Sequence, residues 1–259
     1  MSIDSLIKIV GMIPARFASS RLPGKPLISI RGKTLLQRTF ENARRASMLD
    51  NLLVATDDSR IFEHVREFGG HAVMTSVECP TGTDRLAEVL RQYPEWLHAR
   101  AVVNIQGDEP CLDPAAIDAT VKLLLDNPEI SMATLVSPLE DEEEASNPSV
   151  VKCVMDQYQN ALFFSRNLIP SNKKRKFNSR EGLYYRHIGL YVYRPSFLLR
   201  YQELSPTPLQ LEEDLEHLKV LEHGYRIKVA ITHQAGIGVD TPEDLPKVEE
   251  WLCKQNISL

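Results

Sequence analysis

Four times between Leu6 and Asn127, a short apolar run gives way to a segment whose apolar residues recur every three or four positions. LIKIVGMI (6–13) precedes LLQRTFENARRA (35–46), and NLLVATD (51–57) precedes SRIFEHVREFG (59–69). HAVMTS (71–76) precedes DRLAEVLRQY (84–93), and AVVNIQGD (101–108) precedes AAIDATVKLLLDN (115–127). Apolar runs of this length without polar alternation fit strands covered on both faces, and helices between them supply right-handed crossovers. The expected fold class is therefore α/β, a doubly wound and mostly parallel sheet. Thr34 ahead of Gln37 has capping-box spacing, and Asp113 ahead of Pro114 pairs a cap with proline in the first helical turn. Residues 14–33 are left as a long structured loop, of the kind compact domains keep for function.

After ISMATLVSPL (130–139) the rhythm changes. VVKCVMD (150–156), ALFFSR (161–166) and YYRHIGLYVYR (184–194) are strand-like with no helix between them, which predicts antiparallel pairing. The helix-like segments FLLRYQELS (197–205) and LEEDLEHLKVLEHG (211–224) follow, then a strand at RIKVAIT (226–232). A closing helix is expected to start around Thr241, Pro242 and Asp244. The expected division is an α/β core over 1–139, a smaller antiparallel excursion over 140–225 and a return to the core over 226–259. The basic stretch SNKKRKFNSREG (171–182) has no period and reads as an exposed loop.

Composition narrows the partners. At 43% hydrophobic and 25% charged residues, the 259-residue chain is ordinary globular material, neither collagenous nor disordered. A net charge of −5 opposes a surface built to neutralise nucleic acid or an anionic membrane, while a small anion held by a few cations stays compatible. Cys79, Cys111, Cys153 and Cys253 are scattered with no CxxC pair, so no structural zinc and a reduced, cytoplasmic setting are expected. The start MSIDSLIKIVGMIPARF lacks an apolar run ending at a small-residue cleavage site, and no stretch approaches the roughly 20 apolar residues of a membrane span.

The first loop, IPARFASSRLPGKP (13–26), carries Arg16, Arg21 and Lys25 between prolines that keep it out of helix. Directly after the first parallel strand it should cross the carboxyl edge of the sheet, where open α/β folds bind ligands. Three cations there suit a polyphosphate. No GxGxxG follows the first strand, and RGKT (31–34) has Leu27 where a Walker loop needs glycine, so a dehydrogenase and a P-loop ATPase both lose ground. NIQGDEP (104–110) sets Asp108 at the tip of an internal strand, and GIGVDTPEDL (236–245) offers Asp240 just before a helix that Thr241 already caps. Two carboxylates meeting at that edge would suit Mg²⁺, with phosphate oxygens completing its octahedron. Read alone, His187 fits a core histidine, the Tyr184, Tyr185, Tyr191 and Tyr193 cluster fits packing, and Glu213 with Glu216 fits a solvated helical stripe.

Taken in order, IPARFASSRLPGKPL, PTGTDRLAEV, NIQGDEP, SPLEDEEEASNPSVVK, FSRNLIP, RHIGLYVYR and GIGVDTPEDL resemble the 3-deoxy-manno-octulosonate cytidylyltransferases, or CMP-Kdo synthetases, across nearly the whole chain. The resemblance implies a homodimeric, Mg²⁺-dependent cytoplasmic enzyme with a nucleotide-diphospho-sugar transferase fold, its antiparallel excursion serving sugar binding and dimerisation. The implied reaction takes CTP and 3-deoxy-D-manno-octulosonate (Kdo) to CMP-Kdo and pyrophosphate for lipopolysaccharide synthesis, the anomeric hydroxyl attacking the α-phosphate. On this chain it implies Arg16, Arg21 and Lys25 on the phosphates, Ala15 near the nucleotide, and Thr83, Asp84, Arg85 and Gln106 near the cytidine. Asp108 and Asp240 would carry magnesium and, with Lys25, the catalysis. The sugar acid would meet Arg166, His187, Tyr191, Glu213 and Glu216, with the planar fork of Arg166 suited to its carboxylate. One departure is that the family's PLE before the last strand is PLQ here, with Gln210 in place of glutamate. A cytidylyltransferase for another acidic sugar, such as sialic acid, would share the fold, and FSR and RHIGLY speak against it. A non-catalytic nucleotide sensor is the alternative from a different class, and it has no need of two carboxylates at the reacting phosphate.

Overall fold

A computed structural model describes residues 8–18, 22–171, 177, 182–234 and 236–254. Strand β1 (Ile9–Ala15) is buried along its length except at Pro14, because parallel neighbours flank it on both sides, β4 (Asn51–Thr56) and β6 (Ala101–Ile105). The period-two geometry of a strand sends its side chains alternately into two layers. Ile9 and Ile13 join a core with α1 (Leu35–Ala43), α2 (Ser59–Glu67) and α4 (Pro114–Leu125). Val10 and Met12 join a second core with α3 (Gly82–Gln92), α6 (Pro195–Glu203) and α8 (Glu216–Glu222). Each wholly buried aliphatic side chain contributes about 1.5–3 kcal/mol relative to exposure, so a strand apolar on both faces is held from both sides.

The sheet is completed by β5 (His71–Met74), β7 (Met132–Pro138), β8 (Lys152–Met155), β9 (Ala161–Ser165), β10 (Tyr185–Tyr193) and β11 (Ile227–Ile231). The order is β11-β7-β10-β6-β1-β4-β5, with the β8–β9 hairpin branching from β10. The mostly parallel doubly wound sheet is thus present, and β8, β9 and β10 pair antiparallel as expected. The structure adds the location of β10: it runs antiparallel between β6 and β7, in the middle of the sheet. From the stretch 140–225, β10 therefore packs into the central layer, while α5 (Glu142–Ser146) and the hairpin lie beyond it.

Helix starts follow the capping residues. Thr34, Asp58, Thr81 and Asp113 accept from the backbone N–H of Gln37, Arg60, Asp84 and Ala115. The side chain of Gln37 bonds Glu41 instead of returning to the cap. The loop 14–33 holds a 3₁₀ turn at Lys25–Leu27 and a hairpin of β2 (Ser29–Ile30) and β3 (Lys33–Thr34). Arg31 and Gly32 both have positive φ (49° and 80°), as a two-residue type I′ turn demands. Arg38 of α1 pins that hairpin by donating to the carbonyls of Ile30 and Arg31.

The single helix expected over 211–224 is two. α7 (Pro208–Glu213) ends at Asp214 in the left-handed region (φ 52°), Leu215 is extended, and α8 starts at Glu216. Gln210 sits in the capping box of α7 with Thr207. At the far end Thr241 and Asp244 form the capping box that leads into α9 (Leu245–Lys254).

Candidate active site

Beyond β1 the chain winds to β4 and β5 on one side, then crosses back to β6 on the other, so the topological switch lies between β1 and β6. A crevice at the carboxyl ends of strands follows from that reversal. It is a cavity of about 330 Å³ whose walls include Ala15, Arg16, Lys25, Gly82, Gln106 and Asp108. A second cavity of about 420 Å³ adjoins it, floored by β10 and α8, with Arg166, His187, Tyr191 and His217 among its walls. Gly82, Gln106, Asp108 and Glu216 belong to both, which makes them the junction.

The cationic loop is stapled before it reaches the first cavity. Gly24 (φ 68°) lies against the Phe17 ring, where an added Cβ would come within 3.2 Å, and donates to the Phe17 carbonyl. The guanidinium of Arg60, held by Asp58, covers the same ring with its carbon 3.4 Å from the centroid. Lys25 is only 8% exposed. Its Nζ donates to Asp108 at 2.6 Å and to Asp240 at 3.4 Å. The two carboxylates meet because the Val239 N–H donates to the Asp108 carbonyl and because Gly236 lies so close to Cys111 that a Cβ would clash at 2.7 Å. They are hard oxygen donors sharing one ammonium, with no cluster of three metal-binding side chains among the described residues. That set fits a cation such as Mg²⁺, which takes one or two carboxylates and leaves its other positions to water and phosphate.

Several expected residues are occupied otherwise. Arg85 belongs to the wall of the first cavity but is buried there, its guanidinium paired with Asp57 at 2.7 Å and bonded to the Thr75 hydroxyl. The Asp84 carboxylate accepts from Thr81 in the cap of α3 and is absent from both cavity walls. Thr83 donates to Glu216 at the junction. Glu213 accepts from the Ser165 hydroxyl and the Arg166 N–H, so it closes the end of β9. Arg166 lines the second cavity while donating to the carbonyls of Glu213, Asp214 and Pro148. Gln210 lines neither cavity. Arg21 and most of the basic stretch 171–182 lie outside the described residues.

The floor of the second cavity is aromatic. His187 and His217 face each other at 4.7 Å, both edge-on to Phe164, with Tyr191 hydrogen-bonded to His217 Nδ1. Burial pushes His187 down to about 3 and His217 well below its usual range, so both rings are neutral. Burial raises Glu216, with Thr83 and Tyr201 donating against that shift.

Three site features escape sequence reasoning. His217 is buried with Nε2 unpartnered, and only its place directly after Glu216 hinted at it. Lys152 is wholly buried, its ammonium spent on the carbonyls of Asn147, Val150 and Arg166, which fixes the turn that carries Arg166. Glu109 turns away from Asp108 toward Gly238, where a Cβ would stand 3.0 Å from its oxygen. Burial first, then the charges of Asp108 and Asp240, lift Glu109 to about 8.

Comparison with known proteins agrees with this geometry. The cytidylyltransferase family profile matches residues 10–227. A 3-deoxy-manno-octulosonate cytidylyltransferase of Protochlamydia amoebophila (strain UWE25) is 69% identical over 97% of this chain and 97% of its own. That of Chlamydia pneumoniae is 48% identical over 95% of each chain. Among solved structures, a CMP:2-keto-3-deoxy-manno-octonic acid synthetase complexed with CTP superposes with a TM-score of 0.87 at 38% identity, over 96% of this chain and 99% of that one.

Proposed function

Because the chain belongs to the 3-deoxy-manno-octulosonate cytidylyltransferase family, we propose that its first cavity takes CTP, its second takes Kdo, and the cytidylyl group passes between them at the junction. The enzyme is a nucleotidyltransferase that makes CMP-Kdo and pyrophosphate. The observation that carries the assignment of cavities is the junction itself: Asp108, Gln106 and Glu216 line both, and the Lys25-bridged carboxylates stand at its edge.

In this reading Arg16, Arg21 and Lys25 hold the triphosphate, and Lys25 stabilises charge moving onto the departing pyrophosphate. Ala15, Arg85 and Gln106 shape the cytidine side, Thr83 stands on the second-cavity side of the junction through its bond to Glu216, and Asp84 supports the α3 end. Arg166, His187 and Tyr191 orient the sugar acid, and Glu213 acts on it through Arg166. Glu216, raised by burial, lies where the attacking anomeric hydroxyl would approach. Asp108 and Asp240 would hold Mg²⁺, which supplies neutralisation of the α-phosphate when bound.

We extend the proposal to a cytoplasmic homodimer serving lipopolysaccharide synthesis. Leu162 on the edge strand β9 and Tyr158 in its turn are 61% and 67% exposed, an apolar surface suited to a second copy. No helix among the described residues is long and apolar enough to cross a membrane.

A coupled pyrophosphate assay over a panel of nucleotides and sugar acids tests this function. Release is expected with CTP and Kdo together, dependent on magnesium. Equal rates with sialic acid would move the protein to the other acidic sugar, and binding of CTP without turnover would make it a sensor.

A further inference from the structure

Strand β10 is irregular between Ile188 and Tyr191, where its register against β7 shifts. At that irregularity the Leu190 carbonyl oxygen lies 2.8 Å from the hydroxyl of Thr134, a wholly buried residue of β7. The same hydroxyl lies 2.8 Å from Nε2 of His187. A hydroxyl has one proton and two lone pairs. Two oxygens at 2.8 Å need a proton between them, and a carbonyl brings none, so the Thr134 proton is committed to Leu190. Toward His187 the hydroxyl can only accept, so Nε2 must carry the ring proton.

We infer that Thr134 locks His187 in its Nε2–H tautomer, so that a bare Nδ1 meets the sugar acid as an acceptor and takes a hydrogen bond from a sugar hydroxyl. Thr134 is thus a positioning residue, acting through His187. The inference rests on the reading that the second cavity takes Kdo. His187 lines that cavity and keeps part of its surface, and no described group hydrogen-bonds its Nδ1. A neutral ring in this tautomer has no donor to offer a carboxylate or keto oxygen at that point. It therefore sorts ligands by where their hydroxyls stand, since a site built to pair a hydroxyl penalises the analogue that lacks it.

The test is the Thr134→Val variant, close in shape and without the hydroxyl. Nitrogen-15 NMR of the histidine side chains in the ligand-free protein, with His187 assigned by the loss of its signals in His187→Gln, reads the tautomer directly. Wild type should show a protonated Nε2 and a bare Nδ1, and Thr134→Val should mix the tautomers. In kinetics the Kdo KM should rise about tenfold, the worth of one oriented hydrogen bond, with CTP KM unchanged. Thr134→Ser should restore both readouts, which a merely structural defect would not. A wild-type His187 protonated on Nδ1 overturns the lock, and needs no variant to fold. A locked tautomer with a Kdo KM indifferent to Thr134 overturns the sugar contact, and if the CTP KM moves instead, the assignment of the cavity falls with it.

Discussion

Lys25→Met keeps the length of the side chain and removes its charge, which isolates what the ammonium does between Asp108 and Asp240. The 2.6 Å contact with Asp108 is a charge-assisted hydrogen bond, worth about 1.5–3 kcal/mol. The 3.4 Å contact reaches a half-exposed carboxylate and adds about 0.5 kcal/mol after screening. Without the cation the two carboxylates face each other, so a loss of about 2–3 kcal/mol is expected in the metal-free protein. For a chain of this size that lowers Tm by about 5–10 °C. Millimolar magnesium should recover most of it, because one cation replaces another and binding stabilises the folded state. Turnover should still fall about 100-fold or more, since the charge that meets the departing phosphates is gone. CTP KM should move less than kcat. Thermal melts in EDTA and in magnesium, beside the pyrophosphate assay, read both effects. An unchanged Tm in EDTA, or a kcat within twofold of wild type, would refute the reasoning.

Asp108→Asn and Asp240→Asn should each abolish turnover in folded protein and weaken magnesium binding by calorimetry; near-normal activity at ordinary magnesium would sink the metal assignment. Arg166→Lys keeps the charge but loses the planar fork that now spans the carbonyls of Glu213, Asp214 and Pro148, so the Kdo KM should rise roughly ten- to a hundred-fold with CTP affinity intact. A fall in CTP affinity by titration calorimetry would put Arg166 on the nucleotide side. Glu109 carries its proton in the folded state up to about 8, while the unfolded chain releases it near 4.5, so folding loses stability as pH rises through that window. In EDTA, Glu109→Gln should flatten the decline of Tm between pH 5 and 8, and parallel curves for variant and wild type would count against the buried protonated carboxyl.

The parallel half of the fold was legible because β1, β4 and β6 are largely buried on both faces and the helices between them declare themselves through their period, with caps readable at Thr34 and Asp113. Thr34, Asp58, Thr81 and Asp113 all start helices where the chain leaves the sheet. The position of β10 was not, since its tyrosine-rich alternation fits an antiparallel strand anywhere and only tertiary packing chooses β6 and β7 as neighbours. Nor was the break at Asp214, because LEEDLEHL keeps an unbroken helical period. That break separates Glu213, which bonds Ser165, from Glu216, which reaches the junction, so two carboxylates three apart no longer share a face. The motifs brought Lys25, Asp108 and Asp240 together across 215 residues of sequence. They could not show that Arg85, which lines the first cavity, would also be paired with a half-buried carboxylate, Asp57.

The most direct measurement is a crystal structure of the protein with CTP, magnesium and a Kdo analogue lacking the anomeric hydroxyl, which can bind but cannot react. The account predicts the triphosphate beside Lys25 in the first cavity, the analogue against Arg166 and His187 in the second, and the α-phosphate at the junction by Asp108. An analogue seated in the first cavity, or a triphosphate lying across β10 in the second, would contradict it.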